Sequence, residues 1–360
     1  MDPQTILVFG TGAFAARIVF DIAGTAVEPV RVVVAGRNLD RLGWLATASG
    51  ARAVVFSRPA TFVGCACDLF QSEQVEALLT KERPAVVVQA ASVQTSSVIA
   101  ATGDAWSRLV AEGGLSATAV FQALLSVKVA AIMTSLGSDA PLVNCSFPDV
   151  VNPMIEALGH RVACGVGNVA ILSNVFAAKS GLVEPGRLKV LAHYQTIAPW
   201  RRPPEERVGP APRVFIDDVE VADVFAAFRA ARLTPEPAIE ISGASGVPLI
   251  LALASGAAWR GHVPGPNGLP GGYPVRVSGG IVDLDLPPPV SREEAVAWNS
   301  QFEEANGLRV DRNGWAQYTG RLGDLLRRHA PSLGDGFFVT DLDEAYRAMK
   351  AVRAHLQARS

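Results

Sequence analysis

The sequence is poor in cysteine and histidine, and its charges nearly cancel. It holds 4 cysteines and 5 histidines in 360 residues, and no His/Cys grouping has zinc-finger spacing. We interpret the cysteines as buried thiols and expect no metal. A formal net charge of −2 offers no basic surface to nucleic acid or to an anionic membrane. We therefore expect neither of these partners.

We also predict no membrane-spanning segment. The most apolar stretch in the later part of the chain, residues 247–259, is too short to cross a bilayer. The first strand is expected close to the start, which leaves no space for a signal peptide. These features predict a cytoplasmic protein. With 49% hydrophobic residues, the chain has enough apolar material for large cores in two domains.

The most informative stretch that is present lies at the start of the chain. An apolar segment, residues 5–9, runs into a glycine-rich turn and then into a helical pattern. In such a unit Gly10 permits the tight turn, Gly12 lets the backbone approach a pyrophosphate, and the small Ala15 allows close helix packing. The helix N–H groups then face the phosphates. An ordinary βα unit without a nucleotide is the alternative. The predicted cofactor contacts in this turn are Gly10, Thr11, Gly12, Ala13 and Phe14.

The second apolar segment, residues 30–35, indicates which dinucleotide is bound. It ends in Gly36, Arg37 and Asn38, where NAD-preferring sites usually carry an acid for the ribose 2′-hydroxyl. Arg37 can instead form paired charge-assisted hydrogen bonds with a 2′-phosphate, and Gly36 leaves room for that group. Arg41, one turn later, adds to the same predicted site. The sequence thus predicts NADP, and the alternative is that both arginines are solvated residues at a helix start.

Further apolar runs alternate with helical patterns. Residues 53–56, 61–67 and 84–92 are predicted strands, and a long helical pattern covers 105–136. Asp68 follows the second of these runs, where it lies beside the adenine or serves as an N-cap. The end of the third run passes the nicotinamide side of the predicted cofactor, which makes Ala90, Ala91 and Ser92 cofactor-binding candidates.

The alternation predicts an α/β fold in two domains. Residues 1–150 are expected to form a doubly wound parallel sheet of the Rossmann type, which binds the dinucleotide. A mixed α/β substrate and dimerisation domain is expected over residues 151–360. The predicted boundary lies near the turn at residues 144–152.

The order of elements along the chain resembles that of the lactate/malate dehydrogenase family. Residues 106–110 resemble the Arg-bearing segment of that family, residues 144–149 loosely resemble its Asn-Pro turn, and residues 187–195 resemble its catalytic-histidine segment. The resemblance implies that Arg108 polarises a substrate carbonyl and that His193 is the acid/base, a role that histidine's unperturbed pKa near 6.5 suits. It also implies substrate contacts at Asn144 and Asn168.

Two departures from the family affect the predicted mechanism. Leu172 stands where the family carries an Asp that orients the histidine, and Val175 stands where it carries an Arg that clamps a carboxylate. Either the substrate lacks that carboxylate, or Arg201 or Arg202 binds it, unless these two form a solvated loop pair. The His193 tautomer would then be fixed by another group, for which Asn168 and Asn174 are candidates.

Three functional hypotheses follow. The first is an NADP-dependent oxidoreductase that acts on a small carbonyl or alcohol. The second is an imine-reducing enzyme, because Asp68 and residues 90–92 also resemble opine and saccharopine dehydrogenases. The third is a catalytically silent NADP-binding protein, as Leu172 and Val175 suggest. A homo-oligomer is expected, and a helical apolar face is predicted to dock on the core or on a second subunit; it comprises Leu342, Tyr346, Met349, Val352 and Leu356.

Overall fold

The computed structural model describes residues 3–94, 103–233 and 239–358. Its centre is a parallel sheet of six strands in the order β3-β2-β1-β4-β5-β6. The strands are β1 (Gln4–Phe9), β2 (Val30–Gly36), β3 (Ala60–Ala66), β4 (Val86–Gln89), β5 (Leu142–Asn144) and β6 (Cys164–Gly165). The helices that connect them are α1 (Ala13–Thr25), α2 (Leu39–Val55), α3 (Ser72–Glu82), α4 (Ala105–Gly113), α5 (Ala119–Ser135) and α6 (Pro148–Ala157). The predicted Rossmann fold is confirmed.

The sheet is buried on both faces in its centre. Strands β1, β2 and β4 are rich in Val, Ile and Leu, as expected where helices cover both sides of a parallel sheet. One core lies under α1 and α2, and a second core lies under α3, α4, α5 and α6. All six carboxyl ends therefore meet at one edge, which is where open α/β sheets bind ligands.

Two predicted elements differ from those in the structure. Residues 53–56, predicted as a strand, end helix α2 instead, because the helix that starts at the Asn38 cap continues through this β-branched run. Val54 and Val55 are consequently exposed on its last turn. The predicted long helix is interrupted after α4, since Gly114 has a φ of 94°, which stops the helix before α5.

The second part of the chain mixes helices with antiparallel sheets, as predicted. One sheet contains β7 (Leu188–Leu191), β8 (Arg213–Ile216) and β9 (Val219–Glu220), and another contains β10 (Trp259–Pro264), β11 (Gly272–Ser278) and β12 (Ile281–Leu284). Its helices are α7 (Val169–Ser180), α8 (Val224–Ala227), α9 (Ile239–Ser255) and α10 (Arg292–Ala305). Helix α9 packs so closely on α1 that a Cβ at Gly243 would lie 2.5 Å from Arg17 Cγ.

The C-terminal segment returns to the first part of the chain. It comprises β13 (Leu308–Val310), β14 (Trp315–Tyr318), α11 (Gly320–His329), β15 (Phe337–Phe338) and α12 (Leu342–Gln357). Leu322 and Met349 belong to the same buried cluster as Leu7 and Trp106. The helical face predicted around Met349 thus docks on the core of the unit that contains the parallel sheet. The division at residue 150 stays a prediction, and the packing associates this segment with the first unit.

One segment has the length and composition of a membrane span. Leu115–Ser135 meets both criteria, but 67% of its most apolar window is buried inside the protein. Its core contacts include Phe121 and Val129. This segment is accordingly a core helix of the fold.

A half-buried histidine, His262, joins the sheets that contain β7 and β10 and makes stability depend on pH. His262 on β10 accepts a hydrogen bond at Nε2 from the N–H of Val190 on β7, at 3.0 Å. Burial lowers the pKa of His262 to about 3. Because this folded-state pKa lies below the unfolded value near 6.5, the stabilisation is complete above about pH 6.5 and is lost as the pH falls toward 3.

We expect the free energy of unfolding to decrease by about 1–3 kcal/mol between pH 7 and pH 4 through this residue, a modest loss because the ring is only half-buried. Urea titrations at several pH values measure it. The His262→Gln variant keeps an acceptor for Val190 and should show a weaker pH dependence than the parent. An identical dependence in both proteins would contradict the assignment.

Candidate functional site

The glycine turn at the carboxyl end of β1 has the shape that its sequence predicts. Gly10 has a φ of 123°, and a Cβ there would lie 3.0 Å from the backbone carbon of Ala90. A Cβ at Gly12 would meet nothing within 4 Å. Gly12 caps α1 without a side-chain hydrogen bond. The first-turn N–H groups of α1, at Ala13 and Phe14, have no intrahelical acceptor, as an anion site requires.

The residues after β2 are arranged around this turn. A Cβ at Gly36 would lie 2.9 Å from Thr11 Cγ2, so this glycine makes room for the turn itself. Arg41 donates from Nε to the Thr11 carbonyl oxygen at 3.3 Å. Asn38 caps α2 by accepting the N–H of Arg41 at 2.9 Å. Arg37 is exposed, and its guanidinium carbon lies 6.0 Å from the centre of the Phe70 ring.

Asp68 and the residues after β4 border the same edge. The Asp68 carboxylate accepts the N–H of Phe70 at 3.1 Å, a local turn contact. The Ala90 N–H bonds to the Phe9 carbonyl at 2.8 Å, and this bond extends the sheet to the glycine turn. The Ser92 hydroxyl donates to the Gln94 carbonyl at 2.7 Å. These residues flank the turn, and their contacts to a cofactor stay predictions.

Asn144 lies in a buried network at the end of β5. Its side-chain oxygen accepts from the hydroxyl of Ser126 at 2.9 Å and from the N–H of Ser146 at 3.0 Å. Its amide donates to the Asn152 side chain at 2.8 Å and to the Ser146 carbonyl at 3.1 Å. The bonding capacity of Asn144 is thus used by the protein. The network holds the start of α6, and with it Asp149, at the carboxyl edge of the sheet.

His193 lies next to Asp149 but is enclosed. Its ring is fully buried and stacks on Phe302, with 4.9 Å between ring centres and 3° between planes. Nδ1 accepts from the N–H of Gln195 at 3.4 Å, which places the proton of a neutral ring on Nε2. Nε2 lies 3.2 Å from Oε1 of Glu303, an ion-pair distance without good hydrogen-bond angles. Both ring nitrogens thus face protein groups.

Two buried carboxyl groups surround this histidine. Burial raises the pKa of Asp149, while His193 and a hydrogen bond from the Asn168 amide oppose that shift. Glu303 accepts from the Ser116 hydroxyl at 3.0 Å, and its Oε2 also accepts the N–H of Leu308. We call His193, Asp149 and Glu303 the buried triad. Asp149 lies on α6 of the first unit, while His193 and Glu303 lie in the second part, and the bond from Leu308 links Glu303 to the C-terminal segment.

A phenol lies against the buried triad. Burial and the neighbouring Glu303 raise the pKa of Tyr194 well above its usual value. The Tyr194 hydroxyl lies 3.0 Å from that of Ser116, and the Tyr194 N–H donates to Asp149 at 3.1 Å. Tyr194 therefore stays protonated at neutral pH.

The other predicted site residues lie apart from the buried triad. Arg108 is exposed on α4 and donates to the Gly103 carbonyl. Arg201 is exposed at the end of a short 3-10 helix. Leu172 is fully buried and Val175 packs against the same core, so apolar contacts fill both positions where the family carries charged groups. The roles of Arg108, His193, Asn144, Asn168 and Arg201 stay predictions.

The two carboxyl groups are not among the predicted site residues. Asn168 and Asn174 are the predicted partners of His193, but Asn168 bonds to Asp149, and Asn174 bonds to its own helix at the Ala170 carbonyl, 2.7 Å away. Glu303 follows Phe302 on α10, a helix whose sequence otherwise predicts solvent-exposed side chains. A signal did exist, because Glu303 lies one helical turn after Asn299 on the buried face.

The chain resembles known proteins in its structure. No protein-family model matches the chain, and no curated protein sequence matches it. Malate dehydrogenase from Cryptosporidium parvum has a TM-score of 0.53 and 15% identity, over 83% of this chain and 96% of that chain. Lactate dehydrogenase from Eimeria maxima, solved with NADH and oxamate, has a TM-score of 0.52 and 13% identity, over 84% of this chain and 92% of that chain.

A third neighbour is malate dehydrogenase from Archaeoglobus fulgidus in complex with NADH. Its TM-score is 0.52 at 13% identity, over 83% of this chain and 97% of that chain. At such identities the likeness concerns the fold. The resemblance to lactate and malate dehydrogenases expected from the element order is therefore confirmed as a resemblance of architecture.

Proposed function

We propose that this chain is an NADP-dependent oxidoreductase that transfers a hydride between the nicotinamide and a small carbonyl or alcohol substrate. The observation that carries the proposal is the open glycine turn at the amino end of α1, on the carboxyl edge of the parallel sheet. Two structures with this architecture are described as complexes with NADH. The bound dinucleotide would supply the hydride.

The residues of the turn fit a dinucleotide. The open space at Gly12 admits a pyrophosphate, and the N–H groups that follow it are suited to bind oxygen anions. Arg37 is exposed beside the turn and fits a 2′-phosphate by charge and by its paired donors. Its neighbour Arg41 is held against Thr11 and adds positive charge there.

The substrate proposal follows from the fold and from the two apolar positions. Because Val175 packs against a hydrophobic core, the carboxylate clamp of the dehydrogenases that this chain resembles has no counterpart at that position. We therefore propose a substrate without that carboxylate, or one that Arg201 binds. Arg108 is proposed to polarise the carbonyl and His193 to move the proton.

Arg37 gives the first test. We expect the parent protein to bind NADPH at least about tenfold more tightly than NADH, because hydrogen bonds to a charged group contribute about 1.5–3 kcal/mol. The Arg37→Ala variant should lose most of that difference while its NADH affinity stays nearly constant. Titration of nicotinamide fluorescence measures both affinities.

A matched control is available at the other edge of the sheet. Arg161 is equally exposed and precedes β6, far from the glycine turn in the topology. Arg161→Ala should leave the NADPH preference unchanged. Equal affinities of the parent for the two dinucleotides would refute the proposed preference.

A silent NADP-binding protein is the second candidate. The enclosure of His193 between Gln195 and Glu303 favours it, because a proton donor must reach its substrate. Tight NADPH binding with no turnover across panels of carbonyls and imines would support this candidate. Oxidation of NADPH that requires an added amine would instead indicate the imine-reducing alternative.

A further inference from the structure

A cavity lies in the C-terminal segment, between helix α12 and the antiparallel strands β14 and β15. Its volume is about 350 Å³, in the lower part of the range that small-molecule sites occupy. The residues that determine its chemistry are two aromatic, two acidic and two small ones: Trp315, Phe338, Asp341, Glu344, Ala345 and Ala348. None of them is among the residues proposed for the dinucleotide or its substrate. We call this space the C-terminal cavity.

Strand pairing places the two aromatic side chains on one side of the C-terminal cavity. Trp315 on β14 lies directly opposite Phe338 on β15 in the antiparallel register, and directly opposite side chains project from the same face of a sheet. Their ring centres are 5.0 Å apart and their planes meet at 66°. Phe338 is 48% exposed, so this pair is not sealed into a core. The two rings therefore form an accessible aromatic corner.

Small residues on α12 keep the opposite side of the cavity open. Ala345 and Ala348 are three positions apart, which places them on one face of the helix. The neighbouring Leu342 and Met349 are buried and fill the core under α12. Because an alanine side chain ends at its Cβ, a gap remains between the helix and the aromatic corner. A larger side chain at Ala348 would occupy that gap.

The two acidic residues of the cavity have no cationic partner in the part of the chain that the structure describes. Asp341 and Glu344 are both exposed. The Asp341 carboxylate accepts a hydrogen bond from the Thr340 hydroxyl at 3.4 Å, which leaves its charge uncompensated. Asp343 differs from them, because it pairs with Lys128 at 3.8 Å and does not line the cavity. The cavity thus has two negative charges of its own.

Charge and aromatic faces together determine the kind of ligand. The amino end of α12 contributes about half a positive charge, which the two carboxylates outweigh. A cation placed over an aromatic face, within about 6 Å of the ring centre, is attracted by the ring quadrupole. An anion would be repelled, and a neutral apolar ligand would leave the carboxylates unused. A bare metal ion needs several oxygen ligands, and the described residues hold no group of three or more candidate metal ligands.

We propose that the C-terminal cavity binds a small organic cation, either an alkylated ammonium or a guanidinium. The Trp315 and Phe338 rings contact the apolar or planar surface of the cation, while Asp341 and Glu344 balance its charge. Such cations spread their charge and hold water weakly, so they enter an aromatic corner at a lower cost than a small, strongly hydrated ion. The site shares no residue with the glycine turn and does not depend on the proposed dinucleotide.

Calorimetric titration of the full chain tests the class of ligand. Choline or methylguanidine, each added as its chloride in low-salt buffer, should bind at one site per chain with a dissociation constant of about 1 mM or lower. The tighter of the two identifies the preferred head group. 3,3-Dimethylbutanol, the uncharged analogue of choline, should bind at least about tenfold more weakly than the preferred cation.

Two results of this titration would overturn the proposal. Equal affinity for choline and its uncharged analogue, with no tighter binding of methylguanidine, would show an apolar cavity without selectivity for cations. Absence of binding of both cations at about 10 mM would show that the cavity holds neither.

Substitutions locate the site. Ala348→Leu fills the cavity and keeps both rings and both carboxylates, so the affinity for the preferred cation should fall at least about tenfold. Trp315→Leu removes one aromatic wall and should lower the affinity about fivefold or more. Melting temperatures and circular dichroism establish that each variant is folded.

Exposed carboxylates on α12 provide a matched pair of variants. Glu344→Gln removes one charge of the cavity without removing buried surface, and it should weaken binding by about two- to fivefold. Asp343→Asn removes a charge from the same helical turn but outside the cavity, and it should keep the affinity of the parent. Parental affinity in folded Ala348→Leu and Glu344→Gln proteins would place the binding elsewhere and overturn the proposal.

Discussion

The His193→Ala variant is expected to lose about 3–5 kcal/mol of unfolding free energy. The substitution removes a fully buried ring that stacks on Phe302 and leaves Oε1 of the buried Glu303 without the ring nitrogen that lies 3.2 Å from it. Core truncations of this size fall in that range. Urea or thermal unfolding followed by circular dichroism measures the loss.

The same variant tests the proposed proton transfer. If His193 is the acid/base, turnover per folded molecule should fall by about 10²- to 10⁴-fold while NADPH affinity stays nearly unchanged. The exposed His329, on α11, provides the control, and His329→Ala should change stability by less than about 0.5 kcal/mol. Normal turnover with an unchanged pH profile would leave the histidine with its structural role, and Tyr194 would become the proton donor to examine.

Replacing Gly12 by valine should strongly decrease the affinity for the dinucleotide without unfolding the protein. The backbone at Gly12 has a φ of −71°, which any residue adopts, and a side chain there meets no protein atom within 4 Å. It would instead occupy the space proposed for the pyrophosphate. Loss of two or more hydrogen bonds to a charged group corresponds to an affinity decrease of at least about 100-fold.

Gly10 provides the contrast for this experiment. A substitution at Gly10 is strained, because its φ of 123° is unfavourable for a side chain and Ala90 lies 3.0 Å from the Cβ position. Gly10→Val should therefore lower the melting temperature, whereas Gly12→Val should keep the parent's melting temperature. Normal NADPH affinity in a folded Gly12→Val protein would show that the turn does not hold the phosphates.

The sequence predicted the elements whose signals are local. The run into Gly10 and Gly12 gave the strand, turn and helix, because apolar periodicity and glycine placement depend only on neighbouring residues. The one clear strand error, at residues 53–56, arose where a β-branched run ends a helix that tertiary packing maintains.

The buried triad was not predicted as a group because its members come from distant parts of the chain. His193 was singled out by its position after a strand, but nothing near it in sequence indicates Glu303, which arrives on a helix more than a hundred residues later. Enclosure is likewise a tertiary property. The sequence placed a histidine at a site, and only packing shows that Phe302 covers its ring.

The return of the C-terminal segment to the first core affects how the protein is made. Leu7 and Met349 share one buried cluster, although Leu7 is synthesised near the start of translation and Met349 near its end. While the ribosome is still extending the chain, the apolar surfaces of α4 and α5 lack their covering helix and remain available to chaperones or to misassociation. A chain truncated before residue 308 would consequently expose these apolar surfaces and associate non-specifically, and it would not form a smaller functional protein.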